Sequence, residues 1–133
     1  RLGVRKFTGG NVNTPGWVQA AGWIYERASQ TLAANGAVTF TAANAECHRV
    51  ALQANATSSS ISSPFNDGQR LTISWVQDAT GGRTYSWPGN ARFAGGVAPS
   101  DTTANTMTSV SFLYDGTATR WVEVSRAVAV PTT

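Results

Sequence analysis

The side chains best suited to holding a ligand crowd into one stretch of the chain, "GGRTYSWPGNARF", from Gly81 to Phe93. Tyr85 and Trp87 stand two residues apart, so an extended backbone sets both rings on one face. Arg83 precedes them, and Asn90 and Arg92 follow. Aromatic faces of this kind accept the CH patches of a sugar ring, while planar polar groups bond its hydroxyls. Arg83, Tyr85, Trp87, Asn90, Arg92 and, farther along, Trp121 are therefore the candidate glycan contacts, with Tyr25 as another ring to consider. The same residues have a plainer use, in which Trp87 and Phe93 cap the open end of a β-fold or pack against a neighbouring subunit. The "GGR" at Gly81–Arg83 is no phosphate cradle, because a P-loop needs G-x-x-x-x-G-K-[ST] and a following helix. Here "RTYSW" follows, which reads as a strand.

Catalytic groups are harder to assemble. His48 is the sole histidine, so any Ser-His-Asp arrangement would pass through it. It shares strand parity with Val50 and Leu52, which predicts an inward, core or interface position. The adjacent Cys47 points to the opposite face of a strand, so the two cannot form a nucleophile–base pair. Seven carboxylates are present: Glu26, Glu46, Asp67, Asp78, Asp101, Asp115 and Glu123. Glycoside hydrolysis needs two of them about 5–10 Å apart across a cleft. Asp67 and Asp115 carry turn chemistry in "NDG" and "YDG", and Glu46, Asp78 and Glu123 lie in or beside strands, where a solvent-facing role is expected. No EF-hand loop or metal-ligand spacing occurs. A non-enzymatic chain without metal or cofactor is the expectation.

The elements that must position these residues follow a period of two. Val38 and Phe40 alternate with threonines, Val50 and Leu52 share a face, and so do Leu71, Ile73 and Trp75. Val110 and Phe112 alternate in "TSVSFLYDG", and Val122 and Val124 in "RWVEVSRAV". These eleven residues are the predicted core. Each run is short, rich in β-branched and aromatic residues, and bounded by Gly, Asn, Asp or Pro, the mark of an all-β sandwich or barrel. Asp115-Gly116 supplies a turn favouring positive φ, and Asp67-Gly68 repeats the signal before the strand at 70–77. The "TPGWVQAAGWIYERAS" segment departs from this pattern and reads as a hairpin or linker. The predicted division is therefore a linker over 1–29 and a head domain over 30–133.

Composition narrows the setting. Charged residues make up 13% of the 133, about half the usual share, so Ser, Thr, Asn, Gln and Gly must form most of the surface. The net charge is +3, but the nine arginines and one lysine are scattered singly, whereas a nucleic-acid surface needs them clustered. A lone cysteine allows no internal disulfide, and on a strand it is usually a small buried hydrophobe. No apolar run approaches the ~18 residues of a membrane span. The chain opens on Arg1 and its one methionine is Met107, so a longer gene product is expected.

The run from Gly68 to Ala127 resembles the C-terminal segment of tailed-bacteriophage tail fibres and tailspikes. The match rests on Trp75-Val76-Gln77-Asp78, Gly81-Gly82-Arg83, Trp87-Pro88, Phe93-Ala94-Gly95-Gly96, Pro99, Ser111 through Gly116, Trp121 and Glu123-Val124, in that order. "TPGWVQAAG" is also similar to a module joining such domains to an upstream shaft. The resemblance implies a virion-associated, extracellular, homotrimeric domain with an antiparallel, jelly-roll-like β-sandwich fold at the end of a fibre. Such domains recognise host cell-surface polysaccharide, or cap and trimerise the fibre, beside upstream shaft segments. Neither nucleic acid nor membrane insertion is implied.

Overall fold

The computed structural model describes residues 30–133. The proposed linker over 1–29, with Tyr25, lies outside the described residues. Six strands follow one another: β1 (Gln30–Thr41), β2 (Cys47–Ser62), β3 (Arg70–Gln77), β4 (Ala91–Arg92), β5 (Thr106–Asp115) and β6 (Arg120–Pro131), with one 3₁₀ turn at Ala94–Gly96. They join in a single sheet of order β1-β2-β3-β5-β6-β4. The all-β reading holds, but the expectation of antiparallel pairing throughout does not. β1 pairs with β2, and β2 with β3, in parallel; only β3–β5 and β5–β6 are antiparallel.

Parallel neighbours joined by a short link force the sheet to bend. A straight 12-residue β1 would be about 40 Å long, and residues 42–46 reach only about 20 Å. β1 and β2 therefore turn a corner together, where the register slips between Ala34 and Gly36 and again between Gly36 and Ala37. Gly36 holds φ +84° there, a conformation that costs a residue with a Cβ. The bend brings Phe40 of β1 over Trp75 of β3, with ring centroids 5.7 Å apart. One curled sheet thus supplies facing walls of the core.

Period-two alternation places nine of the eleven predicted core residues inside: Val38, Phe40, Val50, Leu52, Leu71, Ile73, Trp75, Val110 and Phe112 are buried. Each large one contributes about 1.5–3 kcal/mol by leaving water. Polar positions between them face outward on β3 and β5, where Thr72 meets Ser111 at 2.9 Å and Ser74 meets Ser109 at 2.8 Å. The other two core predictions fail. Val122 is 39% and Val124 51% exposed, while Trp121 is 0% exposed. β6 runs in the opposite frame because Trp121 fills the space beside Phe65 and Tyr114, a larger apolar gain than either valine offers.

Two local readings also change. "RTYSW" forms no strand, and its backbone joins the sheet through an isolated parallel bridge between Tyr85 and Ala56. Pro88 follows it with no N–H to extend a ladder. In the β5–β6 hairpin the left-handed residue is Thr119, at φ 55°, and not Gly116. Asp115 Oδ1 instead accepts the amides of Thr117 and Ala118 at 2.9 and 3.0 Å, closing an Asx turn.

His48 is buried as its parity predicts, whereas Cys47 is exposed and not the small core residue expected. The histidine Nε2 donates to Ala45 O at 3.2 Å, and its Nδ1 has no partner among the described residues. Burial, the larger effect, pushes its pKa below the ordinary 6.5 despite that hydrogen bond. The fold holds the neutral ring, so the unfolded chain takes up a proton first. Stability is then full above the unfolded value of 6.5 and falls as the pH drops from there toward the lowered folded value. Between roughly pH 7 and 5 the wild-type melting midpoint is expected to fall by a few degrees more than that of a His48→Leu variant. Parallel thermal melts at both pH values check this, and equal slopes would refute it.

Candidate functional site

After β3 the chain leaves the sheet, bridges to Ala56 of β2 at Tyr85, and next pairs as a strand at β4, on the far side of β6. Polar groups fix this connector at both ends. Gln77, almost wholly buried, donates from Nε2 to Arg83 O at 2.7 Å and Asp101 O at 3.0 Å, and accepts the Arg83 amide at 3.1 Å. Asp101 accepts the hydroxyls of Thr103 and Thr106 at 2.8 and 2.6 Å. At the other end, the Glu123 carboxylate accepts the Ala94 amide at 2.9 Å and pairs with Arg126. Arg126 Nη2 reaches Val97 O at 3.0 Å. The Arg126 hydrogen bonds, and then the Ala94 amide, hold the Glu123 carboxyl below its usual range.

Most of the candidate glycan contacts are engaged within this framework. Arg83 donates through Nε and Nη2 to Asp78 Oδ2 at 3.1 and 3.0 Å. The Gly81 amide, foremost, and Arg83 lower the Asp78 pKa. Tyr85 stacks on Trp75 at 5.0 Å, its hydroxyl accepts the Asp101 amide at 3.0 Å, and burial pushes its phenol up. Trp87 donates from Nε1 to Pro99 O at 2.8 Å and packs edgewise on Phe93 and Phe112, at 5.3 and 6.0 Å. The structure therefore brings Tyr85 and Trp87 together over Trp75, in the capping role open to Trp87 and Phe93. Trp121 is in the core and presents no surface. Asn90, half-buried, lends its carbonyl to the Trp121 amide at 3.0 Å. Arg92 is exposed, with Nη1 bonded to the carbonyls of Gly89 and Ala91 at 2.9 and 2.8 Å.

Beside Arg92 lies a feature that sequence spacing missed. A groove of about 430 Å³ is lined by Asp67, Gly68, Leu113, Tyr114, Asp115 and Val122. Two turns build its rim. Gly68 donates to Tyr114 O at 2.9 Å, and the Gly116 amide to Asp67 Oδ1 at 2.8 Å. Cross-strand register sets its floor: Arg70 pairs with Leu113, Leu113 with Val122, and Val122 with Arg92. The neighbouring Leu71, Phe112 and Trp121 face the core, so this row faces outward. The only available signal was the repeated Asp-Gly dipeptide, which reads as turn chemistry alone.

A family model for phage tail fibre C-terminal domains matches residues 31–119, more than half of the 133. The chain belongs to the phage tail fibre C-terminal domain family. No curated protein and no solved structure matches it. A tail fibre domain is a part of the virion tail, and among its described residues no helix is long and apolar enough to cross a membrane. Nor, among those residues, do three His, Cys, Asp or Glu side chains gather to hold a metal ion. What this tail fibre domain offers instead is a hydrogen-bonded connector and an outward groove lined by Asp67 and Asp115, with Arg70 and Arg92 at the flanking register positions.

Proposed function

We propose that this tail fibre domain recognises a host cell-surface polysaccharide, acting as a homotrimer at the end of the fibre and without catalysis of its own. Membership of the tail fibre C-terminal domain family carries the reading. The sparse charge and the outward hydroxyl pairs of Thr72–Ser111 and Ser74–Ser109 fit it, because neutral polar surfaces suit sugar hydroxyls. Asp67, Asp78, Asp101, Asp115 and Glu123 each hold a turn, a loop or an ion pair, which favours binding over hydrolysis. Three copies would raise weak sugar contacts to useful avidity.

A second reading, a trimerising cap with no ligand, is favoured by five exposed valines among the described residues: Val97, Val122, Val124, Val128 and Val130. An array of bacterial surface polysaccharides, probed with the whole chain after its mass is measured by light scattering, separates the two. A trimer that binds array members without cleaving them is the expected result. A trimer that binds none supports the cap, and a stable monomer at micromolar concentration counts against trimerisation in both readings.

A further inference from the structure

We infer that the groove between the Asp67 and Asp115 turns is the saccharide site of this domain, and that it takes a neutral pyranoside unit; the inference rests on the glycan-binding reading above. The floor is apolar, formed by Leu113 and Val122 side by side in register. Such a floor accepts the CH face of a sugar ring. At about 430 Å³ the groove has the size of a small-ligand site.

The rim supplies the complementary polar groups. Asp67 and Asp115 each commit Oδ1 to turn amides, and neither Oδ2 receives a hydrogen bond from the described residues. These oxygens are acceptors for two hydroxyls. Arg70 and Arg92 bracket the floor as its cross-strand neighbours on either side. Three strand spacings set their α-carbons about 15 Å apart, room for a sugar ring between the guanidinium groups. The Arg70 side chain makes no hydrogen bond or ion pair with the described residues, and that of Arg92 uses only Nη1. Donors on two sides and acceptors at the end match the alternating demands of a sugar's hydroxyls.

Charge balance decides for a neutral ligand. Asp67 and Asp115 line the groove, and Arg70 and Arg92 occupy the register positions flanking its floor, so a cationic peptide would meet two like charges and an anion two others. A polyhydroxyl ligand is repelled by neither.

The test uses the whole chain on an array of bacterial surface oligosaccharides, neutral and uronate-bearing, followed by titration of the strongest ligand. Asp67→Asn and Asp115→Asn keep the Oδ1 acceptor that each turn needs, and Val122→Trp fills an exposed floor position. Each is expected to weaken binding of a neutral oligosaccharide about tenfold or more, while Arg49→Ala, on the exposed face of β2, changes it less than about twofold. Thermal melts confirm that each variant folds. Wild-type binding that survives all three groove variants overturns the groove and leaves the glycan reading standing. Binding confined to uronate-bearing ligands and abolished by Arg70→Ala or Arg92→Ala overturns the neutral assignment. No binding by the wild type overturns both readings.

Discussion

Replacing Trp75 with alanine is expected to lower the unfolding free energy by about 3–5 kcal/mol, the largest loss from any one core side chain. Trp75 is 1% exposed and is among the largest fully buried side chains. Its ring meets three separate parts of the fold. Phe40, from beyond the corner of β1, packs edgewise on it at 5.7 Å; Tyr85 stacks at 5.0 Å; Trp87 meets it edgewise at 6.0 Å. Alanine there would leave a cavity that neither strand can close, because β3 is held between β2 and β5. The Nε1 atom has no partner among the described residues, so the loss is one of packing and apolar burial and not of a hydrogen bond. Tyr85→Leu removes only the stacked layer and is expected to cost less than half as much. Urea unfolding followed by circular dichroism would measure both. A Trp75→Ala loss below about 1.5 kcal/mol would mean that the connector does not rest on this ring.

That dependence explains why the ligand candidates were only partly legible. Tyr85 and Trp87 have the residue types and spacing of a sugar platform, and the same types and spacing serve a lid over a core. Sequence pattern does not separate the two, because only the third dimension shows that Trp75 and Phe112 lie beneath them. The groove was illegible for another reason. Asp67 and Gly116 meet across 49 residues, and no local rule brings two Asp-Gly turns together. Strands were legible wherever one face is buried, since alternation records that face directly. Their direction was not, because parallel and antiparallel strands alternate alike, and the parallel pairing here depends on a bend near Gly36.

β6 shows the limit most sharply. Trp121 with Glu123 and Val122 with Val124 alternate equally well, and the valines look more like core. The structure takes the first frame because Trp121 fills the core, and it accommodates the inward carboxylate of Glu123, with its side chain 3% exposed, because Arg126 and the Ala94 amide partner it. A buried charge is tolerable only when paired in this way. The register slip between Ser111 and Phe112 then shifts the later valines out of simple alternation.

The second large effect is expected at Gly81, which is buried and holds φ +69°. A Cβ built there would lie 2.7 Å from Ala104 N and 2.8 Å from Thr102 O. Both are backbone atoms, so no rotamer change relieves the contact. The surrounding segments are fixed as well: the Gly81 amide bonds Asp78 Oδ1 at 2.8 Å, the Gly82 amide bonds Thr102 O at 2.8 Å, and the Asn105 amide bonds Asp78 O at 3.0 Å. Relief of the clash must therefore part the turn from the segment that leads into β5. Gly81→Ala is expected to cost about 2–4 kcal/mol. Gly82 is the internal comparison, because its φ is +73° yet nothing lies within 4 Å of the place a methyl group would occupy. Gly82→Ala bears only the conformational strain of a left-handed alanine, about 1 kcal/mol. Chemical unfolding of the two variants side by side isolates the steric part as their difference. Equal losses would show that backbone conformation alone, and not close packing against residues 102–104, makes glycine necessary at this turn.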